Sequence, residues 1–402
     1  MVSVGIDVSK EKSMVCILRP YGEVACSPYE IEHTEQSIRD LVCKIGTLES
    51  EVRVVMEATG AYHFPLLWML VGEGIFVSVI NPLVMKRYVP SPLRGGKTDK
   101  IDSGRIANYG LDNWFELTPH VFYEDIRAEL RILGRQYAHY ISVKVNLVIA
   151  LTNLLDRTMP GIKSLVYSQH PSVSAKDKLC DFVEEYQHYD RITKMGKAKF
   201  IASYAKWAKK KGYRQSEAKA EAIFTLASEG IPTLPSSTSS TKTITLESVR
   251  VLREVSKTIS AILSQMQALA QTLPEYSVVR AMNGVGDTLA PKLIAEIGDV
   301  RRFRCGSCLV AYAGIDAPPF QSGTFSGTRR KISKRGSSLL RKTGYEVMKC
   351  LKNTKPVTDN AVYLFMLKKE AEGKAKKVAK IAALNKFLRI YYARVMEVLA
   401  EA

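Results

Sequence analysis

The chain has 402 residues, of which 46% are apolar, enough to form hydrophobic cores and to exclude a disordered protein. Its 58 Lys and Arg residues against 40 Asp and Glu give a net charge of +18, so a polyanion such as nucleic acid is the expected partner. The length indicates two or three domains.

Neither a membrane span nor a secretion signal is indicated. The most apolar region, Phe64 to Val84, is interrupted by two prolines and a Gly-Glu-Gly turn, so it predicts a helix, a turn and a strand. The N-terminus has no basic segment and no cleavage site. Seven scattered cysteines suit a reducing compartment, and Cys305-Gly-Ser-Cys308 lacks the further ligands of a structural zinc site. We expect a cytoplasmic protein with no membrane partner and ordinary thiols.

The N-terminal region predicts a mixed sheet flanked by helices. The predicted strands are Val2 to Val8, Met14 to Leu18, Glu23 to Ile31, Val52 to Glu57 and Ile75 to Val79. The predicted helices are Thr34 to Lys44, with Thr34 as N-cap, Tyr62 to Val71 and Pro82 to Tyr88. Three antiparallel strands followed by alternating helices and strands predict an α/β domain with an RNase H-like fold.

Four acids of this region could share one site. Asp7 and Glu57 end the first and fourth strands, which lie side by side in such a sheet. Asp99 and Asp102 are three residues apart and so lie on one helix face, surrounded by Lys97, Lys100 and Arg105 as candidate nucleic-acid contacts. Four carboxylates together would need a divalent cation, Mg²⁺ or Mn²⁺. The alternative is a solvent-exposed helix start capped by Thr98 or Asp99, and strand-end acids facing water.

Two long helices are predicted from apolar residues spaced three and four apart. The first begins at Ile126 and stops at Met159, and the second covers Leu252 to Leu273. We expect them to pair as a coiled coil with each other or with another subunit.

The insert between these helices, residues 162–242, contains a basic and aromatic segment. Rings stack on unpaired bases while lysines follow phosphates, so this segment is a candidate nucleic-acid site. A solvated amphipathic helix is the alternative, and Pro232 to Thr243 predicts a flexible linker. The candidate contacts are Lys206, Trp207, Lys209, Lys210, Lys211 and Arg214.

The C-terminal part predicts mainly helices with two further candidate sites. Gly284 and Gly286 join two helices in a pattern typical of a helix-hairpin-helix, although an ordinary helical turn is the alternative. Ser322 lies in a Pro/Gly-rich loop before a cationic segment suited to phosphates, but a serine in a loop is weak evidence for a nucleophile. The cationic contacts predicted here are Arg329, Arg330, Lys331, Lys334, Arg335, Arg341 and Lys342.

Together these motifs resemble the DEDD transposases of the bacterial insertion-sequence family that includes the Piv DNA invertases. The resemblance covers nearly the whole chain. It is carried by Gly5-Ile-Asp-Val-Ser-Lys10, Met56-Glu-Ala-Thr-Gly60, Lys97-Thr-Asp-Lys-Ile-Asp102, Gly284-Val-Gly286, Ala311-Tyr-Ala-Gly314, Gln321-Ser-Gly323 and Ile332-Ser-Lys-Arg-Gly336.

The resemblance implies a RuvC-like domain over residues 1–115, coiled-coil helices with the insert over 120–275, and a transposase domain over 276–402. It implies that Asp7, Glu57, Asp99 and Asp102 bind metal and that Ser322 is the catalytic serine. It also implies an enzyme that cuts and rejoins donor and target DNA, guided by a structured non-coding bridge RNA, and works as a dimer or tetramer.

Three other functions fit the sequence less well. A sugar-kinase-like ATPase should carry a Gly-rich loop after the first strand, where this chain has Ser9-Lys-Glu-Lys12. A non-catalytic architectural DNA-binding protein would not explain four acids in a basic chain. A Holliday-junction nuclease would share the acids but would not need Ser322 or a second domain.

Overall fold

The computed structural model describes residues 1–88, 98–120, 125–166, 177–318, 321–322, 325–326 and 331–401, with the backbone alone at residues 125, 321, 322, 325 and 326. The chain divides into two units, Met1–Phe122 and Tyr123–Ala402. Each unit has its own hydrophobic cores.

The first unit is built on a five-stranded mixed sheet. Its strands are β1 (Val2–Val8), β2 (Lys12–Leu18), β3 (Val24–Glu32), β4 (Val52–Glu57) and β5 (Val77–Ile80). They lie in the order β3-β2-β1-β4-β5, with β1 antiparallel to β2 and parallel to β4. The predicted mixed sheet, and the pairing of the first and fourth strands within it, are confirmed.

Among the described residues of this unit, four α-helices cover the sheet. They are α1 (Glu35–Gly46), α2 (Phe64–Gly72), α3 (Pro82–Tyr88) and α4 (Asp99–Asp112). Thr34 caps α1 as predicted, because its hydroxyl accepts a hydrogen bond from the Ser37 N–H. Ile38, Leu41 and Ile45 recur at helical spacing and are buried in the core of this unit, as the sequence indicated.

The two sheet faces carry different residue types. The even-numbered residues of β1 are buried in the main core of this unit. The odd-numbered residues Ser3, Gly5 and Asp7 therefore point to the opposite face, since side chains alternate along a strand. That second face is the one covered by α4, and it holds the candidate site.

The second unit, as far as the structure describes it, is mainly helical and contains one short hairpin. Its helices are α5 (Asp125–Thr158), α6 (Ile162–Val166), α7 (Lys178–Tyr186), α8 (Tyr189–Met195), α9 (Lys197–Lys211), α10 (Glu217–Glu229), α11 (Ser239–Gln271), α12 (Tyr276–Ala281), α13 (Leu289–Ile297), α14 (Gly306–Tyr312), α15 (Ser338–Thr354), α16 (Ala361–Ala371) and α17 (Lys376–Glu401). Two strands, β6 (Gln321–Ser322) and β7 (Phe325–Ser326), form the hairpin.

The two long helices, α5 and α11, pair with each other inside the protomer. The start of α5 shares a core with the end of α11 through Leu130 and Met266. The end of α5 shares a second core with the start of α11 through Leu151 and Leu252. The pair is therefore antiparallel and joins the C-terminal helices to the insert, which is one of the two arrangements that the sequence left open.

One described helix segment, Ile126–Thr158, has the length and apolar composition that a membrane span requires. That test alone is weak, because long helices of proteins outside membranes also pass it. Here the segment belongs to α5, which packs along α11 and contributes to two cores.

The predicted linker from Pro232 to Thr243 is wrong. The N–H groups of Thr233 and Leu234 both donate to the Arg157 carbonyl at the end of α5, and α11 already begins at Ser239. A Ser- and Thr-rich composition looks like a linker, but here the backbone hydrogen bonds to Arg157 and the first turn of α11 order the segment.

Candidate active site and nucleic-acid surfaces

Asp7 and Glu57 lie next to each other at one end of the sheet. Ile6 pairs with Met56 between the parallel strands β1 and β4, and both are fully buried in the core on one face. The following residue on each strand, Asp7 and Glu57, points to the other face at the same register level. Both acids are half-buried, so β1 and β4 hold two carboxylates side by side.

Helix α4 lies directly on β1, and a glycine permits this close approach. A Cβ atom at Gly5 would lie 2.3 Å from both the Ser103 carbonyl oxygen and the Ala107 amide nitrogen. Further along the helix, a Cβ at Gly110 would lie 2.2 Å from the Ser3 hydroxyl. The helix therefore runs antiparallel to β1, and its first turn lies toward the end of the strand that carries Asp7.

Asp99 and Asp102 occupy that first turn of α4. They precede the buried residues Ser103 and Ile106 by one helical turn each, so they continue the helix face that packs on the sheet. Thr98 is the N-cap, since its hydroxyl accepts from the Ile101 N–H at 3.3 Å. The capping prediction is correct, and the same turn lies toward the end of β1 that carries Asp7; within it Asp99 is exposed and Asp102 is half-buried.

Positive groups lie beside the acids of α4. Arg105 contacts Asp102, with Nη1 to Oδ1 at 2.9 Å. Lys12 pairs with Glu30 at 2.7 Å, and this hydrogen bond raises the pKa of Lys12, with a smaller contribution from the Asp99 carboxylate. Arg105 therefore forms an ion pair with a carboxylate of the candidate site, which competes with any contact to a nucleic acid. Lys100, by contrast, is exposed.

The side chains do not form a closed metal cage in this arrangement. Within residues 1–88 and 98–120 and the rest of the described chain, no three Asp, Glu, His or Cys side chains are close enough to hold one ion. The donor chemistry fits a hard divalent cation, because all four side chains are carboxylates. Their backbone positions gather at one end of the sheet, and Asp102 would have to exchange Arg105 for a cation.

Ser322 lies on the short hairpin of the second unit, where Ser322 pairs with Phe325 and Gln321 with Ser326. The sequence predicted a loop, but this backbone is locally strand. Lys97, Arg329 and Arg330, predicted to contact nucleic acid, lie outside the described residues.

The chain segments on either side of this hairpin are tied together at its base. The Ser337 N–H donates to the Tyr312 carbonyl at 2.6 Å, and the Lys334 N–H donates to the Gly314 carbonyl at 3.0 Å. The Ser333 hydroxyl donates to Asp316 at 2.5 Å. We call this set of contacts the hairpin base.

A buried carboxylate accepts a hydrogen bond from a residue of the hairpin base. Glu296 of α13 is only 6% exposed and accepts a 2.7 Å hydrogen bond from the Ser337 hydroxyl, which also caps α15. Gly336 is required by close packing, because a Cβ there would lie 2.0 Å from the Tyr312 carbonyl oxygen. Sequence reasoning missed Glu296, since 41 residues separate it from Ser337 and no spacing signal connects them.

The basic residues after the hairpin have different environments. Lys331, Lys334, Arg335 and Lys342 are exposed and remain available for phosphate. Arg341 instead donates to the Ala313 carbonyl at 2.9 Å and so helps to hold the hairpin base.

The prediction that Trp207 stacks on bases is wrong. Trp207 is 5% exposed and packs against Phe182 and Tyr186, with ring centroids 5.8 and 6.1 Å away. It is part of the core of the insert because it lies on the inner face of the amphipathic helix α9.

The basic residues of the same segment are mostly on the outer face. Lys206, Lys209, Lys210 and Arg214 are exposed, while Lys211 pairs with Asp181 at 3.2 Å. The outer face of α9 is therefore cationic, and the rings of Tyr204 and Trp207 are not exposed on it.

The two candidate helix-hairpin-helix glycines also differ. Gly284 has φ of +83°, and a Cβ there would lie 2.8 Å from the Val347 carbonyl oxygen of α15. Packing inside the unit therefore explains this glycine without a nucleic acid. Gly286 is exposed, and nothing lies within 4 Å of its missing Cβ.

In comparisons with known proteins, transposase family models match two parts of the chain. A family model described as a transposase, of the DEDD type of IS110 elements, matches residues 4–160. A second, described as the transposase of the IS116/IS110/IS902 family, matches residues 276–363.

Two curated relatives span most of this chain. The 44.8 kDa protein of insertion element IS116 from Streptomyces clavuligerus is 22% identical over 81% of this chain and 78% of its own length. The 43.6 kDa protein of insertion element IS110 from Streptomyces coelicolor is 23% identical over 80% of this chain and 77% of its own length. Among solved structures, Thermus thermophilus RuvC covers 30% of this chain and 100% of its own, with 12% identity and a TM-score of 0.23.

Proposed function

This chain belongs to the IS110 family of DEDD transposases, and we propose that it cuts and rejoins DNA with a serine nucleophile and a divalent metal ion. One observation supports the proposed metal site most directly. Asp7 and Glu57 are register neighbours on the sheet face that α4 covers, and the first turn of α4 brings Asp99 and Asp102 toward the same end.

The four carboxylates would hold Mg²⁺ or Mn²⁺, the hard cations that oxygen ligands favour. A bound divalent cation supplies Lewis-acid polarisation of a phosphodiester. Exchange of Arg105 for the cation at Asp102 would keep that carboxylate paired in both states, which limits the cost of leaving it half-buried.

Ser322 is proposed as the nucleophile. Its hydroxyl gives up its proton to solvent as the oxygen attacks the phosphorus and a serine phosphodiester forms. The bond to the leaving sugar oxygen breaks, and that oxygen takes up one proton from solvent, so the protons balance. The phosphodiester energy is conserved for rejoining, which hydrolysis would lose. The exposed Lys331, Lys334 and Arg335 offset the charge that develops on phosphate.

We further propose that a structured non-coding RNA guides the enzyme to donor and target DNA, and that the protein acts in the bacterial cytoplasm as a homodimer or homotetramer. The exposed face of α9 supports an RNA partner, because its lysines are free of the core while its aromatic rings are not. Phosphate contacts from such a face position a nucleic acid without reading its sequence.

The metal site is tested by strand cleavage on supercoiled donor DNA. Asp7→Ala, Glu57→Ala, Asp99→Ala and Asp102→Ala should each abolish cleavage and leave nucleic-acid binding intact, and cleavage by the unmodified protein should stop with chelator and return with Mg²⁺ or Mn²⁺. Asp112→Asn, at the other end of α4, is the matched control and should keep activity. Full cleavage by any of the four variants would remove that acid from the site.

A further inference from the structure

Cys305 and Cys308 form a pair of exposed, free thiols at the start of α14. Cys305 occupies the N-cap and Cys308 the first turn, and their sulfur atoms are 3.6 Å apart. The sequence alone suggested ordinary thiols, because no zinc ligands accompany them. Their geometry gives them a property that a solitary exposed thiol lacks, since each has a second sulfur within reach.

The surroundings of the pair favour a reactive thiolate. The Cys308 N–H donates to Cys305, and this hydrogen bond, together with that from the Cys308 thiol, lowers the pKa of Cys305. By contrast, burial raises the pKa of Cys16 and of Cys180. The thiolate is the form that attacks a disulfide, so Cys305 is better placed to react than the buried cysteines.

We propose that Cys305 and Cys308 are a reversible thiol–disulfide site, oxidised by a low-molecular-weight disulfide. The Cys305 thiolate attacks one sulfur of the oxidant, breaks its S–S bond and releases one small thiol. The Cys308 thiolate then attacks the Cys305 sulfur of the mixed disulfide, forms the internal bond and releases the second small thiol. Two electrons pass from the protein pair to the oxidant, and the protons of both protein thiols leave with the two products.

The required movement is small. The two sulfur atoms must approach from 3.6 Å to a bond length of about 2.05 Å, within a four-residue segment that already places them on one side of a turn. Arg304, exposed next to Cys305, favours an anionic disulfide as the oxidant.

The position of the pair connects it to the hairpin base. Helix α14 has seven residues, so its two ends are about 10 Å apart. At its far end the carbonyls of Tyr312 and Gly314 accept the hydrogen bonds that hold the segment after Ser322. A changed first turn of α14 therefore acts on the hairpin base through one short helix, which is anchored by the buried Leu309 and Val310. The effect of the thiol pair on recombination rests on the function proposed above, whereas the thiol chemistry does not.

The chemistry is tested on the full-length protein with oxidised and reduced glutathione as the probe, followed by alkylation and peptide mass spectrometry. The proposal predicts a Cys305–Cys308 bridge, 2 Da lighter than the dithiol, that reverses in reduced glutathione. Cys43 and Cys350, both exposed, are the matched controls and should react more slowly than Cys305, because neither has a second sulfur beside it.

Two variants make this test sharp. Cys308→Ser should trap glutathione on Cys305, because the second attack is lost, whereas Cys305→Ser should give no bridge and no fast-reacting thiol. If no bridge forms in oxidised glutathione, or if Cys43 reacts as fast as Cys305, the redox site is overturned.

The connection to the hairpin is tested by hydrogen–deuterium exchange, which needs no recombination activity. Oxidation should change amide exchange in residues 312–316 and 333–337 of the unmodified protein and leave it unchanged in the Cys305→Ser/Cys308→Ser double variant. If oxidation leaves amide exchange unchanged in the unmodified protein as well as in the double variant, the coupling to the hairpin base is overturned. If the unmodified protein shows this redox response but does not recombine DNA, the result counts against the proposed function alone.

Discussion

Single residues decide which of the predicted contacts can reach a nucleic acid. In α9 the same short segment holds Trp207 in the core of the insert and Lys209 at the surface. Arg105 and Arg341 are similarly engaged, the first with Asp102 and the second with the Ala313 carbonyl. Charge counts along the sequence therefore overstate the surface that phosphates can contact.

The assignment of Trp207 to the core predicts opposite effects for neighbouring substitutions. Trp207→Ala should lower the free energy of unfolding by about 3–5 kcal/mol, because a large buried ring leaves a cavity. Lys209→Ala should change it by less than about 0.5 kcal/mol, as expected for an exposed side chain. Chemical denaturation of both variants measures this, and a Trp207→Ala protein as stable as Lys209→Ala would place the ring at the surface.

At the residue level the sequence could predict that Asp7 and Glu57 lie side by side, but not the partners of other site residues. Asp7 and Glu57 stand at the ends of β-branched runs, a local signal, and their register follows from strand order. Trp207 could not be assigned, because an amphipathic core helix and a basic aromatic surface have the same composition. Glu296 and Ser337 meet only through the tertiary fold, so no local pattern identifies them.

At the level of elements, the packing of α4 on β1 positions two of the four acids. The helix axis can approach the strand only because residue 5 has no side chain, so backbone atoms of Ser103 and Ala107 occupy the place of its Cβ. The position of the first turn of α4, and of Asp99 and Asp102 within it, depends on this contact.

Two glycine-to-alanine substitutions test that contact. Gly5→Ala should destabilise the protein by about 1–3 kcal/mol and reduce cleavage, because the new methyl group displaces α4. Gly104→Ala, inside α4 itself, is the control: its Cβ would meet only the Cys16 sulfur at 3.9 Å, so the change should be neutral or stabilise by up to about 1 kcal/mol. Thermal unfolding and cleavage assays of both proteins provide the measurement. A harmless Gly5→Ala would show that α4 does not lie against the strand.

Element boundaries follow the strength of the local signal. The bounds of β1, β4 and α3 coincide with the predicted ones, since β-branched runs, turns and prolines delimit them. Helix α11 begins 13 residues before the first apolar residue of its predicted repeat, Leu252, because its early turns are rich in Ser and Thr and gain their stability from packing on the insert. Tertiary contacts override weak helix propensity there.

For the whole molecule, the net charge of +18 and the exposed face of α9 predict a retained RNA. Binding should weaken steeply with salt, because each phosphate contact releases counterions and contributes about 0.7–0.9 to the slope of log K against log salt. Replacing Lys206, Lys209 and Lys210 together by Gln should lower that slope by about two. Fluorescence anisotropy over a salt series, with RNA recovered from the purified protein, gives the slope.

The matched control for that series is the same triple replacement by Arg, which keeps the charge and should keep the slope. An unchanged slope in the Gln variant would exclude α9 as the RNA surface. Nucleic-acid-free protein that still recombines a defined DNA pair would contradict guidance by RNA altogether.

Direct attack of Ser322 on DNA is tested by the fate of labelled DNA on a denaturing gel. With Mg²⁺, the unmodified protein should give a covalent protein–DNA band whose labelled peptide contains Ser322, because the phosphodiester is transferred to the serine before rejoining. Ser322→Ala should bind DNA and metal yet give no such band, while Ser338→Ala, on an exposed serine of α15, should give it at the normal rate. An adduct that persists in Ser322→Ala, or cleavage that proceeds by hydrolysis without any adduct, would contradict the account.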